Sequence, residues 1–363
     1  MREQFFLLSL AFIAITAFGQ NSIPNGNFET WTSGTYDYPQ NYPYTSNADN
    51  FFRYQIPFNV TKTTNAYHGT YAVQLISNVS YGDTSFGYFI NTRPNDKDIN
   101  MWTGGIPYSQ KPTGIRGYYK YNVATADSAT IIAAFSKAGS NIGTYIFKIG
   151  GVHSTYTLFN LTFSPALPVI PDSVIFAASS SNIMTNIVQG STLILDSVSF
   201  TGVSSQPALM NGDFELWQSQ TLYKLNNWYF EDYQENMMIR TTDKVAGDYA
   251  IELKTYLGNN NGNPCARAGR ISTGYYPNNC HNNCTEMGGY PFSNKVDTLA
   301  FWYKYLPSGN DSAEINLNFK KSGSNINQRG MRLHASANYK YVEMPFDIGQ
   351  TPDTVIVDIQ SSI

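Results

Sequence analysis

The chain of 363 residues is poor in charge, in histidine and in cysteine. Only 13% of residues are charged and the formal net charge is −3. That leaves no basic face for nucleic acid and no cationic patch for an anionic membrane surface. Beyond the first twenty residues no apolar run is long enough to cross a bilayer as a helix, so membrane insertion is not expected. The four histidines, His68, His153, His281 and His334, do not recur at equivalent places, and no Gly-x-Ser-x-Gly is present. A Ser/His/Asp triad needs a histidine held between nucleophile and carboxylate, so catalysis of that kind has no local signature. No segment of ten or more residues carries a helical period.

All three cysteines, Cys265, Cys280 and Cys284, fall in one stretch. An export context permits one bridge, Cys265 with Cys280 or Cys284, with one thiol left over. Cys280-His281-Asn282-Asn283-Cys284 also reads as a metal knuckle, although zinc takes four ligands and only three Cys and one His lie nearby.

What the chain has in abundance is tyrosine, 27 copies, together with Asn, Ser, Thr and Gly. This is the composition of exported β-proteins. Residues 1–19 read as a signal peptide: Met1-Arg2, an apolar run from Phe5 to Phe18, and small residues before Gln20.

The chain also repeats itself. Asn25-Gly26-Asn27-Phe28-Glu29-Thr30-Trp31 returns as Asn211-Gly212-Asp213-Phe214-Glu215-Leu216-Trp217, an offset of 186 (211 − 25). Phe135 to Ile142 returns as Phe319 to Ile326, and Pro171 to Ile175 as Pro352 to Ile356. A solenoid unit runs about 20 to 50 residues; a period near 180 is a whole domain. The expected organisation is copy one at 20–203, a Ser/Gln/Pro-rich linker at 204–207 and copy two at 208–363.

Period-two alternation between Gly, Pro, Asn and Asp turns predicts an all-β fold of two tandem two-sheet sandwiches. Ile315-Asn316-Leu317-Asn318-Phe319 places Ile131, Ala133 and Phe135 in the first core and Ile132 and Ala134 outside it. One strand matches Ile115, Gly117, Tyr119 and Tyr121 with Leu299, Phe301, Tyr303 and Tyr305 on the core face. Its other face carries Arg116, Tyr118 and Lys120, matched by Ala300, Trp302 and Lys304. The recurring lysine marks that face as solvent-facing. Tyr118 and Trp302 are thus expected as exposed rings, with Trp102 and Tyr108, or Tyr290 and Phe292, on the loops before the strand. Trp31 and Trp217 are expected in the core. Copy two ends without a counterpart of Leu193 to Phe200, which suggests a truncated piece of a longer protein.

The Asn-Gly-x-Phe-Glu opening, the Gly before Tyr71-Ala72-Val73-Gln74-Leu75 or Tyr249-Ala250-Ile251-Glu252-Leu253, and the closing Leu195-Asp196-Ser197-Val198-Ser199-Phe200 strand resemble jelly-roll carbohydrate-binding modules. They look most like those on exported proteins of Gram-negative bacteria that use type IX secretion, whose carbohydrate metabolism domain opens similarly. The resemblance implies a secreted or outer-cell-surface protein. It also implies a structural Ca²⁺ held by the opening Glu and closing Asp, here Glu29 with Asp196, ligands of the hard-oxygen kind that calcium takes. Six Asp-Ser/Thr-apolar sites, such as Asp172-Ser173-Val174 and Asp297-Thr298-Leu299, resemble the acceptor motif for O-glycosylation in those bacteria; Asp-Ser is also ordinary turn chemistry.

The functional expectation is non-catalytic binding of a polysaccharide or other glycan. Sugar C–H faces stack on rings and hydroxyls pair with polar groups, through Tyr118, Lys120, Trp302, Lys304, Trp102 and Tyr108. Two sites would give avidity on a polymer. The alternatives are an adhesive or spacer domain without a glycan ligand, and a polysaccharide-degrading enzyme. The latter needs two carboxylates about 5 to 10 Å apart; the recurring Glu29 and Glu215 each stand beside a tryptophan in an opening strand.

Overall fold

The computed structural model describes residues 23–54, 56–80, 83–92, 102, 104–123, 127–182, 187–230, 237–260, 263–275, 286–293 and 296–363. The expected signal peptide, Cys280, His281 and Cys284 lie outside the described residues; Cys265 lies on the strand Asn263–Arg267, its side chain also outside them. Among the described residues the regular structure is strand, apart from one helical turn at Ser46–Asp49 and a π-turn at Asn50–Tyr54. Among the described residues no helix is long and apolar enough to cross a membrane.

Each copy builds a sandwich. In the first, one sheet runs Ser140–Gly150, Ser128–Lys137, Ser173–Ser179, Tyr88–Ile90, Tyr44–Thr45, with Ile106–Pro107 also against Ser173–Ser179. The facing sheet runs His153–Thr162, Gly114–Asn122, Thr192–Thr201, Ala72–Ile76, Val60–Thr63. Phe135, Phe176 and Ala178 from one sheet and Tyr119, Tyr121, Val73 and Leu195 from the other share one buried core. The second copy repeats the first sheet strand for strand: Ser324–Leu333, Ala313–Lys321, Thr354–Gln360, Arg270–Ser272, Tyr229–Phe230, with Tyr290–Pro291 in the place of Ile106–Pro107.

Its facing sheet is split. Thr298–Tyr305 pairs with Ser336–Pro345, and Met238–Thr241 pairs with Ala250–Leu253. In the first copy Thr192–Thr201 bridges the corresponding strands; no described strand does so in the second. Burial follows. Val73, Leu75, Ile115 and Tyr121 are sealed at 0–1% exposure, while their counterparts Ile251, Leu253, Leu299 and Tyr305 are only half-buried.

The two copies are also interlocked, which the repeat did not foretell. The opening strand Trp31–Pro39 pairs antiparallel with Trp217–Leu225, the opening strand of copy two. Beyond this ribbon each opening segment packs into the other copy. Phe214 is fully buried against Tyr42 and Phe89 of the first core, while Phe28 packs on Trp228 in the second. The repeat places the boundaries at 20–203 and 208–363, but packing assigns 23–31 to the second sandwich and 210–217 to the first. Trp31 and Trp217 do pack on cores, each on the core of the opposite copy.

One face assignment is corrected. Ile132 and Ala134 do not face solvent; they are buried with Ile90, Ile175 and Ala177 in a small second core on the outer side of the sheet. Trp102, 9% exposed, covers it. In copy two the same face carries half-buried Asn316 and Asn318 and the buried Lys320, whose Nζ donates to the Glu286 carbonyl.

Candidate functional site

The outer face of Gly114–Asn122 and of Thr298–Tyr305 is where the sequence pattern places it: Arg116 is exposed, Tyr118 and Lys120 are half-buried, and Trp302 and Lys304 are exposed. Strand alternation sets this, since the odd-numbered partners Tyr119 and Tyr121 fill the core.

In the first copy Tyr118 lies under Tyr67, a residue of the turn before Tyr71, with ring centroids 3.5 Å apart and planes 13° apart. Tyr156, from the neighbouring strand, meets Tyr67 edge-on at 5.5 Å. In the second copy Trp302 is 52% exposed and Tyr341, its cross-strand neighbour, 47%. Their rings are tilted by 54° with centroids 5.3 Å apart.

The lysines do not point freely at a ligand. Lys120 Nζ donates to Asn65 Oδ1 at 2.7 Å and sits 4.7 Å from the Tyr156 ring centroid. Lys304 Nζ is 2.5 Å from Asp243 Oδ2, and Asp243 holds the lysine pKa above its usual value. Tyr156 and Tyr339 complete matching triads by donating to the carbonyls of Asn65 and Asp243. Each lysine therefore ties the sheet to a turn. Tyr108 is not at the face either: it is 5% exposed, stacks on Phe200 at 5.4 Å and donates to the Ser205 carbonyl. Trp102 lies on the other sheet, and Phe292 is buried. Burial pushes the Tyr290 phenol up to about 12.

The opening motif is a folded cap. Asn25 and Asn211 adopt φ of 51° and 45°, and Phe28 and Phe214 of 58° and 52°. Asn tolerates the left-handed region, and its side chain closes the turn by pairing with Thr30 or Leu216. The Trp31 and Trp217 indoles donate to the carbonyls of Phe28 and Phe214.

This aims each glutamate at the opposite copy. Glu29 Oε1 accepts from the N–H groups of Asp248 and Tyr249 at 3.0 and 3.1 Å. Glu215 Oε1 accepts from those of Thr70 and Tyr71 at 2.8 and 3.0 Å. The preceding glycine is required: Gly69 and Gly247 have φ of 75° and 71°, and a Cβ there would stand 2.2 and 2.1 Å from the carboxylate oxygen. The calcium expectation for Glu29 with Asp196 meets this geometry badly. Asp196 is fully buried in the first copy and accepts from Tyr67 and His68 N–H at 2.6 and 3.0 Å. Glu29 serves the second copy, so the two carboxylates do not share one site; backbone N–H donors occupy both. Among the described residues no three His, Cys, Asp or Glu gather as a metal site.

The rings that sequence reasoning missed are Tyr67, Tyr156, Tyr339 and Tyr341. Tyr156 and Tyr339 did carry a signal, since each stands seven residues before a phenylalanine, Phe163 or Phe346.

Fold and site together define a tandem all-β sandwich with a ring-bearing outer face in each copy. No protein-family model matches the chain, and no curated protein matches it. Solved structures similar to it include TmCBM61 in complex with β-1,4-galactotriose, at 11% identity and TM-score 0.24, covering 47% of this chain and 87% of that one. The tandem CBM22-1–CBM22-2 domain of Paenibacillus barcinonensis Xyn10C is similar at 10% identity and TM-score 0.23, covering 92% and 86%. The enzymatically active domain of bacteriophage CBA120 tailspike protein 4 is similar at 11% and 0.26. That match covers 48% of this chain and only 20% of the tailspike's length. At such scores these likenesses decide nothing about the ligand.

Proposed function

We propose that this protein binds carbohydrate without transforming it, through rings on the outer sheet face. The observation that supports this most is the Trp302–Tyr341 pair, two large rings each about half exposed on adjacent strands. Isolated exposed apolar residues are ordinary, but an adjoining pair of flat rings presents a surface on which sugar C–H faces stack. Beside it, Glu343, two residues along the strand of Tyr341 and on the same face, accepts from the Tyr341 hydroxyl at 3.0 Å and keeps acceptor capacity for a sugar hydroxyl. Export to the outer surface belongs to the same proposal and rests on the Met1 to Phe18 segment. O-glycosylation is proposed at Thr298, an exposed residue among the Asp-Ser/Thr sites.

A second reading, an adhesive or spacer sandwich, is favoured by one observation: Lys120 and Lys304 are both spent on turns of their own chain. A glycan array run with wild type, Trp302→Ala and Tyr118→Ala separates the two. Binding that disappears in Trp302→Ala with unchanged melting supports the carbohydrate reading. No binding by wild type to any glycan supports the spacer.

A further inference from the structure

The two ring-bearing faces occupy equivalent positions and are not equally open. We propose that, on the carbohydrate reading above, ligand binds at the second copy alone, because Tyr67 fills the stacking face of Tyr118 in the first. A sugar on a ring platform lies nearly parallel to the ring and in van der Waals contact with it. Tyr67 does this to Tyr118 already, 13° from parallel at 3.5 Å. Tyr156 closes on the edge of Tyr67.

The cover is fastened by its backbone. Asp196 accepts from the N–H groups of Tyr67 and His68, and Glu215 from those of Thr70 and Tyr71. Two carboxylates therefore pin four residues of one turn around Gly69. Moving Tyr67 aside by backbone motion would strip these donors of their acceptors, and Asp196 is fully buried. A ligand competing for Tyr118 must displace a ring that costs no association entropy.

The second copy has Val245 where the first has Tyr67 (Asp243-Lys244-Val245-Ala246-Gly247 against Asn65-Ala66-Tyr67-His68-Gly69). A valine offers no ring. Its turn is held by Glu29 through Asp248 and Tyr249, and by Lys304 and Tyr339 through Asp243. Trp302 keeps its outer face, and Tyr341, tilted beside it, extends the platform instead of covering it. One residue difference thus leaves an adjoining ring pair bare in the second copy and a self-stacked pair in the first, where Tyr118 is covered and Tyr67, 47% exposed, is the outermost ring; on this proposal the avidity that two copies would bring is absent.

The test uses the full chain, titrated calorimetrically with cellotriose, xylotriose and β-1,4-galactotriose. The expected result is one site per chain, lost in Trp302→Ala. Val245→Tyr, at a residue 46% exposed, should weaken binding about tenfold or more with unchanged melting. Tyr67→Val should raise the stoichiometry from one to two. Two sites in wild type, or binding lost in Tyr67→Val and untouched in Trp302→Ala, would overturn the inference while leaving carbohydrate binding intact. No binding of any trisaccharide by any of the proteins would overturn the carbohydrate reading and this inference with it.

Discussion

At the residue scale the clearest result is the crossed pair of glutamates. A carboxylate that accepts two backbone N–H groups leaves both without a partner when it is truncated, at a cost of about 1–3 kcal/mol for buried groups and less where water reaches. Glu29→Ala should therefore loosen Ala250–Leu253 of the second copy, and Glu215→Ala should loosen Ala72–Ile76 of the first. Hydrogen exchange on the corresponding peptides reads this directly; each variant loosening its own copy would refute the crossing. A second residue-level prediction concerns acid. Asp127 is buried, which raises its pKa, but bonds from Ser181, the Asn182 N–H, Ser191 and the Ser128 N–H outweigh burial and hold it below the usual carboxylate range. A depressed pKa contributes stability above the unfolded value, near 3.8, that is lost as pH falls through the folded value. Melting temperature should thus fall below about pH 4, and Asp127→Asn should flatten that fall. The sequence showed which residues recur but not what they touch. Asn25, Phe28 and Glu29 were recognisable as a motif, yet a partner 219 residues away leaves no local trace.

At the element scale, strand existence and facing were legible wherever alternation was strict. Leu299, Phe301, Tyr303 and Tyr305 face inward as expected, and so do Ile131, Ala133 and Phe135. The reading failed at Ile132 and Ala134 because alternation reports a face and says nothing of what covers it; here Trp102 does. It failed for Lys120 and Lys304 because a solvent-side lysine looks the same whether free or bonded to a turn. The gap between Ala250–Leu253 and Thr298–Tyr305 carries its own prediction. Extending the chain after Ile363 with the residues of 183–201 would supply an equivalent of Thr192–Thr201. Covering Ile251, Leu253, Leu299 and Tyr305 removes apolar area from water at about 25 cal/mol per Å², so melting temperature should rise, by about 2–4 °C for each kcal/mol gained in a unit this size. An extension with the apolar positions changed to Ser should give no rise; equal melting of both extensions would show that the slot takes no strand.

At the scale of the whole molecule, the repeat predicted two domains and the structure has two main cores, one in each copy, but they are not independent. Phe214 is completely buried in the first core although it lies in the second copy by sequence. Removing such a ring costs about 3–5 kcal/mol, a large part of the stability of a single domain. Residues 20–207 alone should accordingly fail to fold cooperatively, and residues 20–217 should melt higher; an equally cooperative melt from both would contradict the interlocking. The functional claim also belongs to this scale, because it rests on the Trp302–Tyr341 pair as the binding surface of an interlocked chain. Its most direct test is retention of the full chain on a panel of insoluble plant and algal polysaccharides, compared with a Trp302→Ala/Tyr341→Ala variant of matched melting temperature. The account predicts that wild type is retained by at least one polysaccharide and that the variant washes through it. Equal retention of both proteins, or retention of neither, would contradict it.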